Sequence, residues 1–154
     1  MSGSLLAVSA TRLAIAFAFV AGLAGAAQAA ISGALGRRVG SIQAAAFGTV
    51  IAATILVALA LVLGRGGGVA AAIHQPPWLW LTGVLGATIV LAITFAPPLI
   101  GTFATVALLI AGQLIAGVLI DAYGLLGSPR LPVTLTRASG LVLVAVGAAL
   151  TLKH

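Results

Sequence analysis

A chain of 154 residues that is 62% hydrophobic and only 5% charged, with a mean hydropathy of +1.33, lies outside the soluble range, where about a quarter of residues carry charge. Its net charge of +6 does not make a nucleic-acid face, because the seven Lys and Arg residues are scattered as singles and one pair at the edges of apolar runs. With no cysteine, two histidines and a single acid, Asp121, the chain lacks the material for a disulfide framework or a metal centre.

Crossing the hydrocarbon of a bilayer, about 30 Å, takes about 20 apolar residues in a helix. Five runs meet or approach that length: 13–35, 42–63, 78–96, 98–120 and 138–152. The expected fold is therefore all-α, a single domain over 1–154 with five transmembrane helices. Arg12 and the pair Arg37 and Arg38 bound the first run; Arg65 closes the second. The first run also contains Ala27-Gln28-Ala29, which is similar to a signal-peptide cleavage site, but the apolar stretch continues to Leu35 and favours a retained helix. Gly66 to Gly68 and His74-Gln75-Pro76-Pro77 form a loop, after which Trp78 and Trp80 sit where amphipathic rings favour the headgroups. Pro97-Pro98 is expected to break the third run and begin the fourth, since proline suits the first turn of a helix. The fifth run is short and leans on Lys153 reaching back to the interface.

With five spans, Arg12, Arg65, Arg130 and Arg137 fall on one side and Arg37, Arg38 and Lys153 on the other, four against three. Orientation follows the excess of Lys and Arg on the cytoplasmic side, and here that excess is one. Two outcomes follow: a single orientation set by that one charge or by the first helix, or dual topology with inverted copies pairing antiparallel.

Between helices in lipid, attraction comes from close backbone approach and a few hydrogen bonds. The first helix carries a small residue at every fourth position, Ala14, Ala18, Gly22, Ala26, Ala30 and Ala34, which marks a packing ridge. Gly83 and Ala87, Gly112 and Ala116, and Gly140 and Gly147 mark further seams. Gln28 and Ser32 are one turn apart on one helix face, and Gln113 lies near the middle of the fourth run. The threonines at membrane depth can bond their own helix. A glutamine amide needs more, so Gln28 and Gln113 imply either an interhelical hydrogen bond or a polar, substrate-facing cavity. Asp121 falls at the C-terminal end of the fourth run, where the helix dipole disfavours a negative charge. It reads as a structural ion pair with Arg130, Arg137 or Arg12, or as a proton-coupling carboxylate. No carboxylate pair, Ser/His/Asp set or phosphate-cradling loop is present, so the chain is not read as an enzyme and no cofactor is expected.

The segment Gln28-Ala29-Ala30-Ile31-Ser32-Gly33-Ala34-Leu35-Gly36-Arg37-Arg38 resembles the end of the first helix in small YdcZ-type membrane proteins. Pro77-Trp78 with Gly83 and Gly86, then Ala96-Pro97, continue the likeness in order. The most specific stretch is Ala111-Gly112-Gln113-Leu114 followed by Asp121-Ala122-Tyr123-Gly124-Leu125-Leu126-Gly127, and Gly140 fits as well. The resemblance runs from about Leu13 to Leu152. It departs at Ser32, where the family usually carries Asn.

That family is described as inner-membrane exporters of the drug/metabolite transporter superfamily. The resemblance implies a multi-pass protein of a bacterial-type inner membrane and one half of an inverted-repeat transporter. Larger superfamily members have two five-helix repeats, and an odd number of spans inverts the second copy. A single five-helix chain then implies an antiparallel homodimer exporting a small molecule by alternating access, with Gln28, Ser32 and Gln113 lining the site. Related small multidrug transporters hold cations on a carboxylate in the first helix, absent here, which favours neutral, zwitterionic or anionic substrates. The competing expectations are a non-transporting accessory or scaffold subunit, or one half of a heterodimeric transporter.

Overall fold

The computed structural model describes residues 2–64 and 67–152, with side chains for 10–64 and 68–152, and no strand occurs among them. Helix α1 runs Ser2–Val39, α2 Ser41–Leu63 and α3 Gly67–Ala72. A single 3-10 turn, Pro77–Trp80, leads into α4, Leu81–Phe95; α5 is the short segment Pro97–Ile100; α6 spans Thr102–Tyr123 and α7 Leu135–Leu150. Among the described residues, four stretches are long and apolar enough to cross a membrane: Ala10–Val39, Ser41–Leu63, Pro77–Ile100 and Thr102–Tyr123. The fifth expected span is the 16-residue α7. At about 1.5 Å rise per residue it measures about 24 Å, short of the hydrocarbon thickness, so its crossing depends on local thinning or on flanking residues. Lys153, invoked for that purpose, and Arg65 lie outside the described residues.

Expected boundaries move: α1 begins well before 13, α6 ends at Tyr123 rather than 120 and α7 starts at Leu135 rather than 138, and two further shifts have a clear physical reason. The first helix does not end at 35. It continues to Val39 and takes Arg37 and Arg38 into its last turn, where cations complement the negative end of the helix dipole. The third and fourth spans do not part at Pro97-Pro98. Ala96 stays helical and the prolines form the first turn of α5, so the chain reverses only at Gly101. The physical reason is the one that tolerates proline at a helix start: its missing N–H has no partner to lose there.

Gly101 (φ 82°) and Gly40 (φ 97°, between α1 and α2) are the two tight reversals, both at the end of the bundle that holds Arg37 and Arg38. Each joins two helices through one residue in a region that L side chains rarely enter. A Cβ on Gly40 would also press against Gln43 Oε1, at less than contact distance. At this end the packing is close. A Cβ on Gly33 would lie 3.0 Å from Pro97 Cβ and 3.2 Å from Pro98 Cδ, and one on Gly36 would lie 3.2 Å from Thr94 Cγ2. Ala29, Ala44, Thr94 and Ala104 are buried here at 3% exposure or less. A core of Ala, Gly and Thr is what lipid selects, because burying Leu gains nothing there while close backbone approach gains dispersion contact. Thr49, Thr54, Thr88, Thr94 and Thr105 each donate to the carbonyl four residues back, at 2.7–2.9 Å. These hydroxyls are satisfied within their own helices and need no partner helix.

The buried ridge of α1 is Ala29, Gly33 and Gly36. The expected ridge through Ala14, Ala18, Gly22, Ala26, Ala30 and Ala34 lies about 100° further round the helix at its C-terminal half and is largely exposed: Ala14, Ala18, Gly22 and Ala30 face outward. Gly83, Gly112, Gly140 and Gly147 would likewise meet nothing within 4 Å if given a Cβ. Those seams do not close within one chain. Helix α1 packs on α2, α4 and α6, whereas α7 rests on α6.

Candidate substrate site

Away from the tight end, α1, α4 and α6 separate and leave a groove of about 230 Å³. Gln28 of α1 and Gln113 of α6 both line it, with Gly22, Gly25, Ile93 and Ile110. Two glutamines 85 positions apart in sequence are thus brought to one place by the crossing of α1 and α6. Both are exposed, and neither side chain hydrogen-bonds within the chain among the described residues. Of the two alternatives the sequence left open, a direct hydrogen bond between them is not present among the described residues. Both residues line the groove instead. Gly22, read from sequence as packing surface, is part of this lining, and its missing side chain keeps the groove open.

Ser32 stands elsewhere. It is half-buried next to Gly33, in the tight end, and does not line the groove with Gln28. The step of four residues puts Ser32 about 6 Å along the helix axis from Gln28, beside Gly33, where α1 meets Pro97 and Pro98 of α5.

Gln113 also opens onto two further grooves. One, about 430 Å³, lies between α4 and α6 and is lined by Ala92, Ala96, Leu108, Gly112 and Ala116. The other, about 440 Å³, runs between α6 and α7 and ends at Asp121 and Arg137. Arg137 Nη1 donates to Asp121 Oδ2 at 3.4 Å. Of the three arginines that sequence offered to Asp121, the fold selects Arg137 because the turn after α6 brings the start of α7 back beside it. Arg130 takes a different role: its Nε donates to the Ala122 carbonyl at 3.1 Å, and the Leu131 N–H bonds the Asp121 carbonyl at 2.9 Å. Together these satisfy carbonyls that the end of α6 would leave unpaired. Gly124 (φ 64°) makes the left-handed cap, and Thr134 Oγ1 caps α7 by accepting from the Arg137 N–H at 3.3 Å. No group of three His, Cys, Asp or Glu side chains that could hold a metal occurs among the described residues.

Nothing in the sequence marked Gln113 as the residue common to three grooves. The residues that open them, Gly22, Gly25, Gly112 and Gly117, were legible only as small. In a chain with 20 glycines that signal does not distinguish a surface that packs from one that parts.

Residues 13–150 match the family model described as "Putative inner membrane exporter, YdcZ". No curated protein and no solved structure matches the chain. The match and the membrane-spanning helices support a transporter rather than an enzyme, placed as a multi-pass protein in the inner membrane. Because the match spans nearly the whole chain, this protein belongs to the YdcZ family of inner-membrane exporters.

Proposed function

We propose that the chain is one half of a small-molecule exporter of the drug/metabolite transporter superfamily, with five crossings, completed by an antiparallel second copy and working by alternating access. The observation that carries this reading is the pair Gln28 and Gln113: two amides in apolar helices, on one groove, without hydrogen-bond partners among the described residues. A polar group facing lipid costs several kcal/mol when unpaired, of order 2–7 kcal/mol for an amide, so these two require a substrate, water or another chain. The groove of about 230 Å³ is smaller than the usual ligand cavity, at least about 300 Å³. A second copy laid over it would enlarge and close the site. The open seams at Gly22, Gly83 and Gly112 supply surfaces for that contact.

In this reading Gln28 and Gln113 bind substrate through paired hydrogen bonds. Ser32, half-buried beside Gly33, lies outside this groove and takes no binding role in this reading. With no carboxylate on α1, the site favours neutral, zwitterionic or anionic substrates over simple cations. Rocking of the two halves about the tight ends would expose the groove alternately to each side.

Two measurements test this. Single cysteines at Ser41 and, separately, at Ser128 are labelled in intact cells with a membrane-impermeant maleimide. Half labelling at both positions is expected; full labelling at one and none at the other removes the antiparallel homodimer and turns the search to a different partner chain. Extracellular solutes of cells expressing the protein are then compared with cells expressing Gln113→Leu. A solute whose efflux falls at least tenfold in the variant is expected. If no solute differs, the assignment of the site fails. Because Gln113 loses no hydrogen bond, the variant should unfold at the temperature of the parent protein.

A further inference from the structure

The groove between α6 and α7 carries a chemical signature of its own. One end holds the chain's single carboxylate, Asp121, with Arg137. The other reaches Gln113, eight residues back along α6, a separation of about 12 Å at about 1.5 Å per residue. The walls between are apolar, with Leu114, Val118, Leu141 and Val144. Gly117 and Gly140 also line it, and a Cβ on either would meet nothing within 4 Å. The space of about 440 Å³ therefore persists because two facing positions have no side chain.

The ion pair is incompletely used. It is one contact of 3.4 Å, with Arg137 44% and Asp121 36% exposed. A fork-to-fork pair would be shorter and would occupy both carboxylate oxygens. Here Asp121 Oδ1 and the other guanidinium N–H groups keep their hydrogen-bonding capacity, and both residues line the groove. Opposite charges side by side at the mouth of an apolar channel match a ligand that carries both charges on an apolar body.

We propose that this groove binds a zwitterionic amphiphile, its ammonium on Asp121, its anionic oxygens on Arg137 and its apolar portion along Leu114 and Leu141 toward Gln113. A ligand with only a cation would face Arg137 uncompensated, and one with only an anion would face Asp121. Both are selected against by the same pair. Asp121 and Arg137 meet at this end because the left-handed cap at Gly124 ends α6 and the chain returns to begin α7 at Leu135. Binding here goes beyond the export reading and does not depend on it, because it is measured without transport. The ligand chemistry has two sources, a phosphoethanolamine lipid of the bilayer or a soluble apolar amino acid.

The test uses the full chain in a non-ionic maltoside, titrated calorimetrically with a 14-carbon lysophosphatidylethanolamine, a lysophosphatidylglycerol of equal chain length, tetradecylammonium and leucine. The zwitterionic lipid is expected to bind at least tenfold more tightly than the anionic or cationic probe. Gly117→Leu and, independently, Gly140→Leu should each weaken it at least tenfold with an unchanged unfolding temperature, and Asp121→Asn should abolish the preference over the anionic probe. Leucine binding within tenfold of the lipid assigns the site to soluble zwitterions; weaker leucine binding assigns it to bilayer lipid. Equal affinity for all three chain-bearing probes, or binding untouched by both folded glycine variants, overturns the proposal.

Discussion

The two ends of the bundle are built by opposite means. At the end holding Arg37 and Arg38, single glycines reverse the chain and α1 lies against α4 and α5 through Gly33 and Gly36. Toward the other end the connections are long, from Gly64 to Trp80 and from Gly124 to Thr134, and the helices part to leave one groove from Gln28 and Gln113 toward Gly22 and another from Gln113 to Asp121. The same residue types serve both ends. Glycine at Gly33 permits contact, while glycine at Gly117 leaves space. What differs is whether another helix arrives at that position. The contrast is therefore one of backbone approach: α1 touches α5 and α4 at Gly33 and Gly36, whereas Gly22, Gly83 and Gly117 meet nothing within 4 Å.

The sharpest way to break this comparison is to place the same side chain at both ends. Gly33→Leu drives a side chain into proline rings that cannot rotate away, and overpacking of this kind costs about 1–3 kcal/mol. Gly83→Leu, in open space, should fall within about 0.5 kcal/mol of the parent. Thermal unfolding in detergent, followed by Trp78 and Trp80 fluorescence, reads both. Equal effects would mean that the two ends are not packed differently.

The turns come next. Gly101→Ala meets no atom within 4 Å, so its cost is purely conformational, about 1–3 kcal/mol for an L residue held at φ 82°. Gly40→Ala adds the contact with Gln43 and should be at least as destabilising. A Gly101→Ala protein as stable as the parent would show that the reversal can be made with another backbone conformation. For the open end, Gly22→Leu should leave the single chain's stability unchanged, since nothing lies within 4 Å. If a second copy packs on that ridge, the same variant should lower the dimer fraction at least tenfold in light scattering or in cross-linking through a single introduced cysteine. An unchanged dimer fraction places the contact elsewhere.

The smallest effect is expected at the ion pair. Asp121 and Arg137 are both more than a third exposed, where measured pairs contribute about 0–1 kcal/mol. Asp121→Asn should therefore lower stability by less than about 1 kcal/mol, and a larger loss would make the pair a structural tie between α6 and α7.

Much of the molecule could be read without coordinates, for identifiable reasons. Transfer of a helix into lipid sums contributions residue by residue, so the apolar runs mark the helices wherever they fold. The break after Pro97-Pro98 came out four residues early because proline marks a helix start as readily as a stop, and only the reversal at Gly101 decided between them. Short motifs in order carry the family likeness, and the match over residues 13–150 has nearly the same extent. Gln28 and Gln113 stood out as candidates because a polar amide among apolar residues is conspicuous in any order.

Sequence by itself therefore determined the membrane class, the helical content, the positions of most helices and the family. Tertiary structure decided which face of α1 is buried, that Gln28 and Gln113 share a groove while Ser32 does not, and that Arg137 rather than Arg130 meets Asp121. The division has one cause. Partition into lipid depends on what each residue is, whereas packing inside lipid depends on how closely two backbones approach, and a chain rich in Ala and Gly offers close approach on nearly every face.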